Sequence, residues 1–404
     1  MQNQSYRYGQ DVNYIMLDKL KVAAQKAAKT TMHNAGTLGV TEITASRGES
    51  CFLFMFEGRV CGLVLEGLGT KNRANDTFMH ELLKFVAQAY AYNFEVRKTP
   101  ILKALNFRPY FNAGIDTAMM IFIDAMACGI KPAVLVTYYA VGASDWFTEE
   151  KHIKDYCAGI AYAANRIDCV WGGGETPTLV NTIYPDTADL AGATWGVCIA
   201  EEPILGQNLK AGNRILLVES TGLQANYLSG ARRLASSLKT GYLAPLSDGT
   251  PFGLALSRPT DLRYIPFIEA LIYESVQLQY IVPITGHGLR KIMRARQPFT
   301  YRLHSLAPLS PLFRFMIEGL NLKGEAGAEE AMGGMNLGQG LALMVEASDE
   351  EKVIGIAKDR FGLKVWAGGE VEEGPRQVVI EHPDPIFEID GKIVFDENSM
   401  RIRS

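Results

Sequence analysis

The chain has 404 residues, 48% hydrophobic and 21% charged, a length that excludes a small stapled module and predicts about two domains of ~150–200 residues each. Forty Lys and Arg against 44 Asp and Glu leave a formal net charge of −4, which argues against a polyanion-binding surface and so against nucleic acid as a partner. Thirty-nine glycines without a fixed triplet predict tight turns and close backbone approaches.

The cysteines Cys51, Cys61, Cys128, Cys157, Cys169 and Cys198 form no Cys-x-x-Cys pair and have no clustered histidines. This pattern predicts free thiols in a reducing compartment rather than a zinc site or a disulfide framework. Residues Met1 to Thr30 lack the apolar centre of a signal peptide. The most apolar stretch, Phe111 to Ile130, carries Asp116 and Asp124. No uncharged run reaches the ~18–20 residues of a membrane span, so a soluble, cytoplasmic protein without a membrane partner is expected.

In chain order, Met16 to Ala28 reads as a helix, and Phe52 to Phe56 with Val60 to Leu65 as a hairpin across Glu57-Gly58-Arg59. Helices are predicted near Thr77 to Phe94 and Ile115 to Cys128, then a strand from Ala133 to Tyr139 and a helix from Glu149 to Arg166. A strand from Cys169 to Trp171 enters a glycine turn, Gly172-Gly173-Gly174-Glu175-Thr176, and Ala193 to Ala200 is a further strand. The pattern breaks at Pro203, Gly206 and Gly212, which places the boundary near Glu201 to Gly212, between domains 1–205 and 206–404.

The second half restarts with strand Arg214 to Val218 and a helix near Ala225 to Leu238. Gly241 to Pro259 reads as a long loop. Helix Pro266 to Leu278, strand Tyr280 to Ile284, helix Gly288 to Arg294 and strand Leu341 to Glu346 follow. Asp349 to Phe361 reads as a helix capped by Ser348, with short extended segments at Val365 to Ala367 and Ile386 to Phe395. Strands and helices mixed in both halves predict two α/β or α+β domains.

Glu66, Asp124, Glu175 and Asp189 stand at strand ends or glycine-flanked turns, where carboxylates can converge on a Mg²⁺ that bridges to phosphate oxygens. Each is also an ordinary place for a solvated turn residue. Asp124 differs, because it interrupts an apolar run and a buried carboxylate needs a partner. Gly67-Leu68-Gly69-Thr70-Lys71 could cradle phosphate with backbone N–H groups and the Lys71 charge, or simply turn the chain. Its spacing matches neither a P-loop nor a dinucleotide fingerprint. The glycine turn at Gly173 and Gly174 invites the same two readings. Thr285-Gly286-His287-Gly288 precedes a helix whose first N–H groups could face an anion.

The order of these motifs resembles the aminoimidazole ribonucleotide synthetase family across nearly the whole chain. The segment Tyr8-Gly9-Gln10-Asp11-Val12-Asn13 is similar to the family's Gly-Val-Asp start, and Glu66-Gly67-Leu68-Gly69-Thr70-Lys71 to its Asp-Gly-Val-Gly-Thr-Lys. Gly114-Ile115-Asp116, the run from Ile123-Asp124 to Pro132, Gly173-Gly174-Glu175-Thr176 and Asp189-Leu190-Ala191-Gly192 follow in the family's order. So do Ser220-Thr221-Gly222-Leu223, Ile284-Thr285-Gly286 and Asn336-Leu337-Gly338.

The resemblance implies a homodimer whose N-terminal mixed sheets join into a barrel, plus a C-terminal α/β domain. It implies ATP and Mg²⁺ as cofactors, and ATP-driven ring closure of formylglycinamidine ribonucleotide in purine synthesis. Carried over, Glu66, Asp124 and Glu175 become metal contacts. Gly67, Gly69, Thr70, Lys71, Asp116, Gly173, Gly174, Glu175, Thr176 and Asp189 become nucleotide contacts. Asn226, Thr285, Gly286 and His287 become substrate contacts, and Lys71, Asp124, Asn226 and His287 the catalytic set. Three departures bear on the substrate. Glu66 replaces Asp, and the family's Ser-Gly-Leu-His-Ser-Asn-Gly ends here in Gln224-Ala225-Asn226-Tyr227. The His-Ile-Thr-Gly-Gly-Gly motif reads Pro283-Ile284-Thr285-Gly286-His287-Gly288, so His287 is either a new substrate contact or a capping side chain.

Overall fold

The computed structural model describes residues 14–91, 108–148 and 150–397. The Tyr8 to Asn13 motif and the predicted helix end at 92–94 lie outside the described residues. The first half holds α1 (Tyr14–Lys29), β1 (Thr41–Glu42), β2 (Phe52–Phe56), β3 (Arg59–Gly67), α2 (Lys71–Ala91), α3 (Pro109–Met126), β4 (Ile130–Val141), α4 (Glu150–Asn165), β5 (Val170–Glu175) and β6 (Ala188–Cys198). Its six strands form one mixed sheet in the order β1-β2-β3-β6-β4-β5.

The second half holds β7 (Arg214–Glu219), α5 (Leu228–Ser237), α6 (Phe252–Leu256), α7 (Tyr264–Tyr273), β8 (Leu278–Pro283), β9 (Phe299–Leu303), α8 (Pro311–Gly319), α9 (Gly324–Gly334), β10 (Gln339–Val345), α10 (Glu350–Phe361), β11 (Val365–Glu373), β12 (Gln377–Ile380) and β13 (Ile393–Asp396). These seven strands pair in the order β13-β12-β9-β11-β7-β10-β8. The first sheet's last strand ends at Cys198 and the second sheet's first begins at Arg214.

Period-two alternation decides the layers. In β7, Ile215 and Leu217 face one core while Leu216 and Val218 face the other. The second of these cores is continuous with the layer under the first sheet, where α3 packs. In β3, Val64 is buried, whereas Leu63 and Leu65 are exposed. Among the described residues the first sheet therefore covers one face with α3 and leaves the other bare. Across that bare face the register aligns Phe52, Leu63, Trp195, Val134 and Val170 in one row over five strands, and all five are exposed.

Several boundaries differ from expectation. Helix α2 starts six residues early, at Lys71, because its polar first turns are bonded inward: Asn72 donates to the Ala188 carbonyl at 3.3 Å and Asn75 to that of Pro109 at 3.2 Å. The Gly172 to Gly174 segment is strand rather than turn. A Cβ on Gly174 would sit 1.9 Å from the Thr137 carbonyl oxygen, so glycine serves close strand pairing there. Ser348 does not cap α10; it lies within a 3₁₀ turn and Asp349 holds the cap position. Gly288 to Arg294 is a 3₁₀ helix. Among the described residues, no helix is long and apolar enough to cross a membrane, and all six cysteines are free.

Candidate functional site

Strand β3 ends at Gly67, the chain turns through the exposed Gly67, Gly69 and Thr70, and α2 begins at Lys71. Lys71 points into the protein. Its Nζ lies 2.5 Å from Asp116 Oδ2 and 2.8 Å from the Arg258 carbonyl oxygen, and both charged side chains are fully buried. Asp116 Oδ1 accepts from Thr260 N at 2.8 Å and Thr260 Oγ1 at 2.7 Å. Two of the residues expected at phosphate and nucleotide, Lys71 and Asp116, thus form a buried knot that ties α2 and α3 to the second half of the chain. Burial lowers the Lys71 pKa and Asp116 opposes that.

Glu66 and Asp124 meet nearby. Asp124 is buried in the last turn of α3, an unfavourable place for a carboxylate against the helix dipole. Glu66, half-buried at the end of β3, is in side-chain hydrogen-bond contact with it. Burial first, and the Asp124 charge second, push the Glu66 pKa up to about 7, against the pull of Lys291. Two carboxylates held this close share charge that wants a cation.

Lys291 supplies part of that cation. It is buried, its Nζ donates to Thr285 Oγ1 at 2.5 Å, and Asp124 and Glu66 act on its charge. Thr285, Gly286 and His287 form the half-buried loop between β8 and the 3₁₀ helix that carries Lys291. Burial, with Arg290 and Lys291 beside it, drops the His287 pKa to about 3, so the imidazole is neutral near pH 7. Glu66, Asp124, Thr285, Gly286 and His287 therefore belong to one place. Lys291 was not foreseen. It sits beside Arg290 and three residues before Arg294, so the stretch reads as a basic face and nothing in the spacing singles Lys291 out.

Other expected contacts lie apart. Glu66, Gly192, Thr137 and Gly174 share one row across β3, β6, β4 and β5, so Glu175 is three strand steps, roughly 14 Å, from Glu66. Gly173, Gly174, Glu175 and Thr176 are exposed at that far side of the sheet, whereas Asp189, also exposed, stands on β6, the strand next to β3, beside Leu190, whose carbonyl accepts from Leu68 N at 2.7 Å. Among the described residues, no group of three or more His, Cys, Asp or Glu is placed to hold a metal ion. The expected trio Glu66, Asp124 and Glu175 reduces to the Glu66–Asp124 pair. A nucleotide-bound Mg²⁺ needs only one or two carboxylates besides phosphate and water, and this oxygen pair fits it.

Asn226 is half-buried in the loop before α5. Gln224, standing where the resemblance has histidine, donates to Tyr264 Oη at 3.2 Å and is buried. Tyr227 and His287, the two positions where the family motif has glycine, have φ of 54° and 73°. The backbone keeps the glycine conformation under a bulky side chain.

Comparison with known proteins follows the same lines. A family profile described as AIR synthase related protein, N-terminal domain, matches residues 87–198. The phosphoribosylformylglycinamidine cyclo-ligase of Methanocaldococcus jannaschii is 31% identical over 259 residues, which cover 64% of this chain and 71% of that one. A crystal structure of a HypE–HypF complex superposes with a TM-score of 0.55 at 16% identity, covering 86% of this chain and 93% of the other. The hydrogenase maturation protein HypE in complex with ATP gives 0.52 at 15% identity, over 72% and 81%. At such identities the solved structures speak for the fold alone, and that fold is the expected two-part α/β arrangement.

Proposed function

This chain belongs to the aminoimidazole ribonucleotide synthetase family, whose members are ATP-dependent ligases, and from that premise we propose that it is a phosphoribosylformylglycinamidine cyclo-ligase of purine synthesis. The observation that carries the reading is the convergence of Glu66, Asp124, Lys291 and the Thr285 to His287 loop between the two halves. In the proposed reaction the terminal phosphoryl group of ATP passes to the formyl oxygen of formylglycinamidine ribonucleotide. An amidine nitrogen then bonds to that carbon, and the oxygen leaves with inorganic phosphate. ATP and substrate thus become ADP, phosphate and the aminoimidazole ribonucleotide. An amide oxygen is a poor leaving group and phosphate a good one, so the protein's task is placement and charge.

Glu66 and Asp124 would hold Mg²⁺, which when bound supplies positive charge to the phosphate oxygens. Lys291 restrains the carboxylate pair and fixes Thr285. His287, neutral, can exchange a hydrogen bond with substrate without adding charge. Lys71 and Asp116 position α2 and α3 rather than touch phosphate. Purified protein is expected to release ADP and phosphate with ATP–Mg²⁺ and formylglycinamidine ribonucleotide, and with neither alone. No turnover with that substrate sinks the proposal.

A second reading, a different phosphoryl acceptor on the same scaffold, is favoured by Pro283 and Gln224 standing where the family has histidine. An ADP-release screen over other acceptors separates the two. We propose further that the exposed apolar row on the first sheet meets its copy in a homodimer. Contiguous apolar surface of that kind marks an interface.

A further inference from the structure

Away from the acid pair, a cleft of about 680 Å³ opens between α2 and α5, with Tyr242 at its wall. Three guanidinium groups line it, those of Arg73, Arg232 and Arg233, against one carboxylate, Glu81. Glu81 is already engaged, accepting from the Tyr242 backbone N–H at 2.8 Å. Arg73 is held at the rim by Asp186 at 2.5 Å and lies 5.7 Å from the Tyr184 ring. Arg232 is half-buried and makes no hydrogen bond or ion pair with any described residue. The first turn of α5 reaches the same cleft through Ser229. The cap position of that helix, Tyr227, offers no side-chain acceptor to the first N–H groups, so these donors add to the positive field. Arginine's planar fork matches phosphate oxygens two at a time, and the volume suits a small molecule rather than a bare ion.

We propose that this cleft binds the phosphate of a phosphomonoester the size of a sugar phosphate, with Arg232 as the central contact and Arg73 and Ser229 flanking it. The site draws on both halves of the chain and stands whether or not the cyclo-ligase reading holds. Titration calorimetry of the full chain with ribose 5-phosphate, and with ribose as control, tests it. Ribose 5-phosphate is expected to bind and ribose not to. Arg232→Gln is expected to weaken binding at least tenfold, Arg232→Lys less, and Glu66→Gln not at all. Should Arg232→Gln fail to fold, Arg73→Gln carries the same comparison. No binding of ribose 5-phosphate, or an affinity unchanged in the folded glutamine variant, overturns the proposal.

Discussion

Tyr227 and His287 hold backbone conformations that L side chains rarely adopt, at a cost of order 1–3 kcal/mol each. Tyr227 recovers some of it through a 3.0 Å hydrogen bond to Glu330 and burial against Gly334. His287 is half-buried beside cations. His287→Gly is expected to melt at or above the wild-type temperature while KM for the nucleotide substrate rises several-fold; a melting point lowered by several degrees would make the imidazole structural. Glu66 gives a pH test. Its folded pKa is raised, so the native state holds the proton more tightly than the unfolded chain. Stability from this group therefore falls as pH rises from about 4.5 to about 7. Glu66→Gln is expected to melt a few degrees above wild type at pH 8, to match it near pH 4.5, and to lose activity. Lys291→Met removes a cation that holds the Glu66 pKa down, so the rising limb of the pH–rate profile should move upward by roughly one unit. Asp124 was legible because a carboxylate in an apolar helix demands a partner. That the partner is Glu66 depends on which helix turn packs over which strand end, and no spacing encodes that.

The knot of Lys71, Asp116 and Thr260 belongs to the scale of elements, since it joins two helices to the segment after α6. Lys71→Met leaves a buried carboxylate uncompensated and is expected to cost about 3–5 kcal/mol in denaturant unfolding. Combining it with Asp116→Asn, which keeps an acceptor for Thr260, should recover more than half. A loss of less than 1 kcal/mol in the single variant would show the pair to be dispensable. Long amphipathic or apolar elements such as α3 and β10 could be read from periodicity. The misses share physical causes. Helix α9, Gly-Glu-Ala-Gly-Ala-Glu-Glu-Ala-Met-Gly-Gly, has poor intrinsic propensity and forms because Ala328, Ala331 and Met332 are buried. Strand β12 spans only four residues and rests on parallel pairing with β9. The glycine run of β5 looks like a turn until its neighbour's carbonyl is in view.

For the whole molecule, the bare row of Phe52, Leu63, Trp195, Val134 and Val170 sets the expectation of a dimer. Light scattering behind size exclusion should report two chains for wild type and one for Leu63→Asp, with unchanged circular dichroism. A monomeric wild type would refute the interface. Alternation in each strand announced that one face is apolar, but not that helices leave it uncovered, because that depends on where α3 and α4 pack. Strand β10 has a different consequence. All seven of its residues are buried, it lies between β7 and β8, and its side chains alternate between the two cores. Its amides can meet solvent only when both cores open together. In hydrogen–deuterium exchange, Gln339 to Val345 should be the slowest segment and report the free energy of complete unfolding, while exchange in Thr285 to Arg294 slows when nucleotide is added.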